Sequence, residues 1–597
     1  MKIRRFIVII LVSYALAVVP SCDDYLDQTP DAKITDETIF TNYNGFQGFL
    51  DLCYALVVDY TFWWSHIGTL NLADESVCFK NWASEYYAEY GDYVRISGID
   101  YYGGASAFIN FNAANPLEVG KNVKGIFDGG WRGIRAVNLA LSKLDMLTDA
   151  TAEEKRLIEG QAYFFRGFFY EQMIRAYGGL PYVDKYFAPE DNLFLPRLSY
   201  QEITEKIILD FDRAAELLPE DWDETELGSK IKGANHGRAT KGAALGFKAR
   251  ALLYAGSPLM NYEQTKTYEY DRDYMIRAAE AAWEVIKIAN KGVYSMTDFS
   301  DYQGIFARTD GTYPWPPETI FQRLDMLGSS RLQGAMTARF VPARFGANAP
   351  VISPTQNFVD LYEMAATGLP IEDAESGYDP MNPWTGRDPR LRACILVDGD
   401  AWTKKDPEVH KMQLYVGGID QKNQEIRTPY ICKKWWPLGT NNKDQLYGTY
   451  YGVTPHMRLP EIYLIYAEAV NEAYGPSGKI DEANLTAEDA INIVRNRANM
   501  PNLHSKFLNK EAFRERMMNE RAVEFFHEGH RWFDIRRWHV AHLPKYRELY
   551  TLKFDKNHTY FNRELLSTRV FEERHYWLPF PEAQTNIYPG FYQNPGW

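Results

Sequence analysis

The sequence predicts a mainly α fold: tetratricopeptide-like helical pairs in a superhelix, with an irregular, loop-rich ligand-binding lobe mounted on them. Three observations carry this expectation. Apolar residues recur at helical spacing over long stretches of both halves of the chain. These stretches come in pairs, with small residues along them and Gly or Pro at their ends. Between them, residues 291–457 are rich in Pro, Gly, Asn and aromatics, a composition that regular helix does not accommodate. No strict 34-residue period runs through the pairs, so any repeats are degenerate.

The first element is an export segment. Lys2, Arg4 and Arg5 precede an apolar run from Phe6 to Val19. Fourteen residues rise only about 21 Å as a helix, short of the ~30 Å hydrocarbon core, so the run signals export and does not span a membrane. It ends at "VVPSC", where Ser21 before Cys22, with Val19 further back, resembles the lipobox of bacterial lipoproteins; Pro20 is unusual there. Acyl chains on Cys22 would make a durable anchor at roughly 0.8 kcal/mol per buried CH₂. The acidic stretch that follows, without helical period, reads as a tether reaching at most about 45–50 Å.

Helical patterns then run over 130–147, 152–178, 200–219, 237–256 and 271–290. In the second, Leu157, Ile158, Ala162, Phe165, Phe169 and Met173 form one stripe, and "GGLP" at 178–181 supplies the glycine stop and following proline. The pattern resumes at 458–475, where Leu459, Ile462, Tyr463, Tyr466, Val470 and Tyr474 line one face. The chain is therefore expected to divide into a signal (1–21), a lipidated cysteine with tether (22–36), an N-terminal helical part (37–290), the irregular lobe (291–457), a C-terminal helical part (458–540) and a last irregular segment on the body (541–597). Loops held on a rigid scaffold are where binding usually sits.

Composition narrows the function. The formal net charge of −14 becomes −17 once Lys2, Arg4 and Arg5 are removed with the signal. So acidic a body is a poor partner for nucleic acid, whose binding rests on cations that neutralise phosphates. Besides Cys22 there are Cys53, Cys78, Cys394 and Cys432, none at C-x-x-C spacing. They form neither a disulfide framework nor a zinc motif, and read as buried thiols. Aromatics make up 15% of the chain, with 41 Tyr and 15 Trp, more than a core alone explains. Tyr and Trp pair a flat apolar face with a polar tip, which suits half-wet surfaces.

Several stretches together resemble the SusD/RagB family of nutrient-binding outer-membrane lipoproteins of Bacteroidetes. They are "SCDDYLDQTPDAKITDETIF", "IEGQAYFFRGFFYEQMIRAYGGLPYV", "GRATKGAALGFKARALLYAGSP", "PTQNFVDLYEMAATGLPI" followed by "RDPRL", "RLPEIYLIYAEAVNEA", "INIVRNRANMP", "NERAVEFFHEGHRWFDIRRW" and "YPGFYQNPGW". Their order over nearly the whole chain carries the resemblance. It implies four tetratricopeptide-like units and an irregular binding face. It also implies a lipid anchor on the extracellular side of the outer membrane, and a partner, a SusC-like TonB-dependent barrel on which the protein sits as a lid. Members capture oligosaccharide, sometimes peptide, and bind without cleaving. Glycan capture is the leading expectation; peptide capture and a surface glycosidase are the alternatives. No cofactor is implied.

"HEGHRWFD" (527–534) invites a metal reading, but zincin chemistry needs His-Glu-x-x-His with two imidazoles one turn apart. Here His527 and His530 are three apart with Gly529 between them, so the motif reads as structural. Glu520, Arg521, Glu524, Arg531 and Asp534 stand at spacings that permit charge-assisted pairs between helices.

The expected glycan contacts are aromatic, because a sugar's C–H face packs on a ring by dispersion and C–H/π attraction. In relatives, the loop after the "ADE" element and a stretch matching "TYPWPPE" supply such contacts. By region, this points to Trp82, Tyr86, Tyr87, Tyr313 and Trp315, with Asp74 as polar partner. Tyr90 lies in the same non-periodic segment; Trp435 and Trp436 form a second tier, of which at most one would face a sugar.

Overall fold

The computed structural model of the chain describes residues 35–57, 72–78, 84–94, 126–580 and 582–597, apart from 189, 193, 324–341, 343, 347–351, 423–426, 447–449 and 454. The export segment, Cys22 and Trp82 lie outside the described residues.

Helices begin where the sequence caps them. Thr151 accepts from the Glu154 amide while the Glu154 carboxylate takes the Thr151 amide, and Ser199 with Glu202 repeats the arrangement. Leaving aside short helices such as Asp36–Phe40 and Pro389–Cys394, the helices that position the site are, in chain order, α1 (Tyr43–Ala55), α2 (Ser84–Glu89), α3 (Ile126–Ser142), α4 (Ala152–Tyr177), α5 (Tyr200–Leu217), α6 (Lys241–Ala255), α7 (Pro258–Thr265) and α8 (Arg272–Asn290). After the irregular region come α9 (Leu459–Tyr474), α10 (Ala487–Arg497), α11 (Lys510–Glu524) and α12 (Arg531–Arg537). Successive helices pack side by side, α3 on α4, α4 on α5, α5 on α6, α6 on α8, α8 on α9 and α9 on α10. The mainly helical, tetratricopeptide-like expectation is met. Among the described residues, no helix is long and apolar enough to cross a membrane.

The single stripe expected for α4 understates its burial. From Leu157 onward nearly every side chain is buried, including Arg166, Glu171 and Arg175. The helix lies between α3 and α5, and its end is capped by the C-terminal segment, where the Leu578 amide donates to Ala176 O and Asn594 Nδ2 to Tyr177 O. A helix enclosed on all sides needs small residues at its crossings. A Cβ at Gly133 of α3 would stand 2.1 Å from the Phe169 ring. Gly133→Ala is therefore expected to cost about 1–3 kcal/mol through overpacking, read as a lower urea midpoint; an unchanged midpoint would mean that Phe169 has room to move.

Strands are short and all pair antiparallel in twos. They are β1 (Ser76–Cys78) with β4 (Ile352–Pro354), β2 (Ala307–Arg308) with β7 (Tyr451–Gly452), β3 (Thr319–Gln322) with β8 (Pro455–Arg458), β5 (Ile395–Leu396) with β6 (Ile431–Cys432), and β9 (Glu548–Phe554) with β10 (Phe561–Thr568). The first ladder ties the irregular region to the N-terminal part of the chain, and the next three close that region on itself. Its residues form a second core around Phe306, Trp435 and Trp436, joined by Phe526 from beyond α11.

The two ends of the chain interlock. Arg531 of α12 grips Asp74 with two hydrogen bonds of 2.7 and 2.8 Å, and the His527 amide donates to Glu75. Arg569 donates to the Leu72 carbonyl. Arg197 Nη2 bonds Asn594, three residues from the last.

"HEGHRWFD" is a break between α11 and α12. His527 and Gly529 have φ of +56° and +82°, so the two histidines do not share a helical face. Both are buried, which pushes each imidazole well below its ordinary pKa. The carboxylates and cations beside them pair as the spacing suggests. Glu520 meets Arg390 and Arg495, Glu524 meets Arg390, Arg458 and Arg497, and Arg521 meets Asp534.

Candidate functional site

Two sets of aromatic side chains stand partly open to solvent, each on a clamped base. The first is on α2. The sequence reads residues 71–93 as non-periodic, but Ser84–Glu89 close one helical turn and more, which puts Tyr86 and Tyr90 on one side. Their ring centroids are 4.7 Å apart, Tyr87 meets Tyr86 edge-on at 5.5 Å, and Tyr90 is 54% exposed. A hydrogen bond shared with Tyr86, which holds the phenol proton, raises Tyr90 above its ordinary pKa, more than its slight burial does. The Glu89 carboxylate holds this helix down through Arg427, at 3.0 Å from both oxygens, while its carbonyl accepts from the Val570 amide.

Asp74 does not join these rings. It is 3% exposed and both its oxygens are taken by Arg531, so it anchors the base of the loop and has no free acceptor for a sugar hydroxyl. Thr355 reinforces this base, donating its hydroxyl to Asp74 O and its amide to Glu75 O. The "ADE" element is thus a pedestal. Glu75 is also buried; desolvation outweighs the His527 amide and the Arg531 charge and pushes its carboxyl up to about 8.

The second set is the proline-stiffened strap at 312–317. Tyr313 donates its hydroxyl to Arg323 O at 3.0 Å, and its ring meets Tyr451 edge-on at 6.2 Å. Trp315 is half-buried and stacks on His236, centroids 5.1 Å apart and planes 24° apart. The pair edges a recess of about 200 Å³ whose other walls include Trp222, Asp223, Asn235 and Tyr294. The strap is fixed at both ends. Gln322 Nε2 donates to Pro314 O, and Glu318, fully buried, receives Arg458, Arg497 and the Thr297 amide.

Beneath Glu318 lies a closed charge network. Arg458 reaches Glu318, Glu524 and Glu528, and Lys434 adds a bond to Glu528. Burial alone would raise Glu524, but Arg497, Arg458 and Arg390 outweigh it and hold the carboxyl well below the usual carboxylate range. The network fixes the strap through Glu318.

Trp435 and Trp436 are excluded as platforms, being 0% and 1% exposed and sealed in the second core. They follow β6 in a turn, and the Trp436 indole donates to Thr440 O. His236 and Tyr451 complete the strap set without having been anticipated. A lone histidine gives no signal, and the one sequence signal for Tyr451 is the aromatic density of "YGTYYG", which does not single it out. Among the described residues, no group of three or more His, Cys, Asp or Glu side chains could hold a metal ion.

The SusD family matches residues 317–597, and a family described as starch-binding, associating with the outer membrane, matches residues 106–253. SusD-like protein P2 of Formosa agariphila is 25% identical over 415 residues, covering 68% of this chain and 69% of the relative. SusD-like protein P25 of the same organism is 22% identical over 560 residues, 90% of each chain. Among solved structures, a SusD-like protein of Bacteroides fragilis superposes with a TM-score of 0.71 at 24% identity, covering 94% of this chain and 99% of the other. A SusD-like carbohydrate-binding protein of the same species gives 0.64 at 21%, covering 93% and 100%.

Proposed function

The chain belongs to the SusD/RagB family, and from that premise we propose that it is a cell-surface lipoprotein that captures a glycan without cleaving it. The anchor would be Cys22. The captured oligo- or polysaccharide passes to a SusC-like TonB-dependent barrel in the outer membrane. A ligand held between lid and barrel biases the closed state by its differential affinity for that state. One relative's own description as a carbohydrate-binding protein supports the glycan class.

The observation that carries this reading is the strap. Trp315 and Tyr313 are aromatic, partly exposed and held at both ends by buried polar contacts. Such a ring keeps its face in place before the ligand arrives, so little ordering entropy is lost on binding. Each stacked ring is worth about 1–3 kcal/mol by analogy with base stacking. The full-length chain in detergent should retard on native gels containing a starch or another neutral polysaccharide from a plant and host panel. Trp315→Ala and Tyr313→Ala should each weaken binding roughly tenfold while melting unchanged. Release of reducing sugar, or indifference to the whole panel, would overturn the reading. Copurification with a barrel from native membranes tests the partner.

A further inference from the structure

A second cavity, of about 480 Å³, opens between α7, the glycine exit of α4 and the C-terminal segment after Glu573, and shares no lining residue with α2 or the strap. One wall belongs to a column of four rings. Tyr262 lies on Tyr268 with centroids 4.3 Å and planes 9° apart, Tyr268 lies on His539 at 3.5 Å and 7°, and His539 lies on Tyr576 at 4.4 Å and 28°. Polar bonds hold the column in register. Tyr268 donates to Glu573 at 2.9 Å, and the Tyr576 hydroxyl lies 2.6 Å from His542 Nδ1.

This column runs from the core, where Tyr576 is 1% exposed, out to the surface. Tyr262 is 38% exposed at its outer end, and Tyr592 on the cavity's edge is 57% exposed. Tyr592 is backed by Arg197, whose guanidinium sits 4.9 Å from the ring centre and is tied to Gly179 O and Tyr592 O. Charges at the rim are mixed: Glu263 and Glu573 stand among Lys266, Arg574 and Arg197, the last already committed to Gly179 O, Tyr592 O and Asn594. A phosphate or carboxylate ligand needs a concentration of free donors that this rim lacks, and a cation needs the reverse. Ring surfaces, mixed charge and scattered hydrogen-bonding groups suit a ligand with apolar C–H faces and neutral hydroxyl edges. The volume lies within the range of small-ligand cavities.

We propose that the cavity bounded by Tyr262, Tyr268, Trp577 and Tyr592 is a second saccharide site, taking a neutral segment of one or two sugar rings independently of the strap. Because it uses separate residues, its fate is separable from that of the strap. Saturation-transfer NMR on the full-length chain with maltose, cellobiose, xylobiose and mannobiose reads both sites. We expect at least one disaccharide to bind the Tyr313→Ala/Trp315→Ala chain and to lose roughly tenfold affinity when Tyr262→Ala and Tyr592→Ala are added. If that strap variant binds none of the four sugars, or binds them equally with and without Tyr262 and Tyr592, the second site is overturned whatever the strap does. Should the combined variant fail to fold, Tyr262→Ser alone, at the exposed end of the column, carries the same comparison.

Discussion

Replacing Arg458 by methionine is expected to destabilise the protein by about 3–5 kcal/mol. The guanidinium makes bonds of 2.6 Å to Glu318, 2.9 Å to Glu524 and 2.8 Å to both oxygens of Glu528, all within a region at most 1% exposed. Methionine fills much of the volume between the Phe306 and Phe525 rings but leaves three buried carboxylates short of their shared cation. Arg497, Lys434 and Arg390 remain, and they already serve these same carboxylates. Arg458→Lys keeps the charge but loses the fork, so its loss should be smaller. The difference between wild type and Arg458→Met should also narrow in acid, as the stranded carboxylates protonate. Urea midpoints at pH 7 and pH 4 provide the check; a loss below about 1 kcal/mol at pH 7 would mean that the other cations neutralise the cluster unaided.

Glu75→Gln should do the opposite at alkaline pH and stabilise the protein. The Glu75 carboxyl is pushed up to about 8 by burial, against an ordinary 4.5. Between those values the folded chain holds a proton that the unfolded chain has released. Stability therefore falls as pH rises through this window, by up to about 1.4 kcal/mol per pH unit from this group. Glutamine carries no such proton, and its amide oxygen can still accept from the His527 amide, which lies 2.9 Å from Glu75 Oε1. The variant should match wild type near pH 4.5 and exceed it increasingly up to pH 8. Glu524 has the contrary sign: its depressed pKa supplies stability above the ordinary carboxylate range that is lost in acid. Parallel stability curves for wild type and Glu75→Gln would show that the folded carboxyl ionises normally.

How much was legible follows from how local each cause is. α4 and α9 are readable because their caps and their 3.6-residue spacing lie within one stretch of chain. The single stripe on α4 understated its burial because the covering segment, around Leu578 and Asn594, is some four hundred residues away. Asp74 reads as a sugar partner by region, yet its true partner, Arg531, stands 457 residues later and leaves no local trace. α2 escapes because six residues are too few to display a period. The turn in "HEGHRWFD" is readable only from Gly529, since His527 is an uncommon occupant of positive φ. At the site, the strap was legible from its prolines and aromatics. Its companion His236 was not, because a stack between residues 79 positions apart has no signature in either neighbourhood.

The interlock of the two ends has a consequence for biogenesis. Leu72 and the side chains of Asp74 and Glu75 are held by residues 527–569, and Tyr177 and Arg197 are held in part by Asn594. Ribosomes emit these partners last, so the early helices cannot complete their tertiary contacts while synthesis continues. A nascent chain kept from closing in this way completes its tertiary folding only after its last residues have been synthesised.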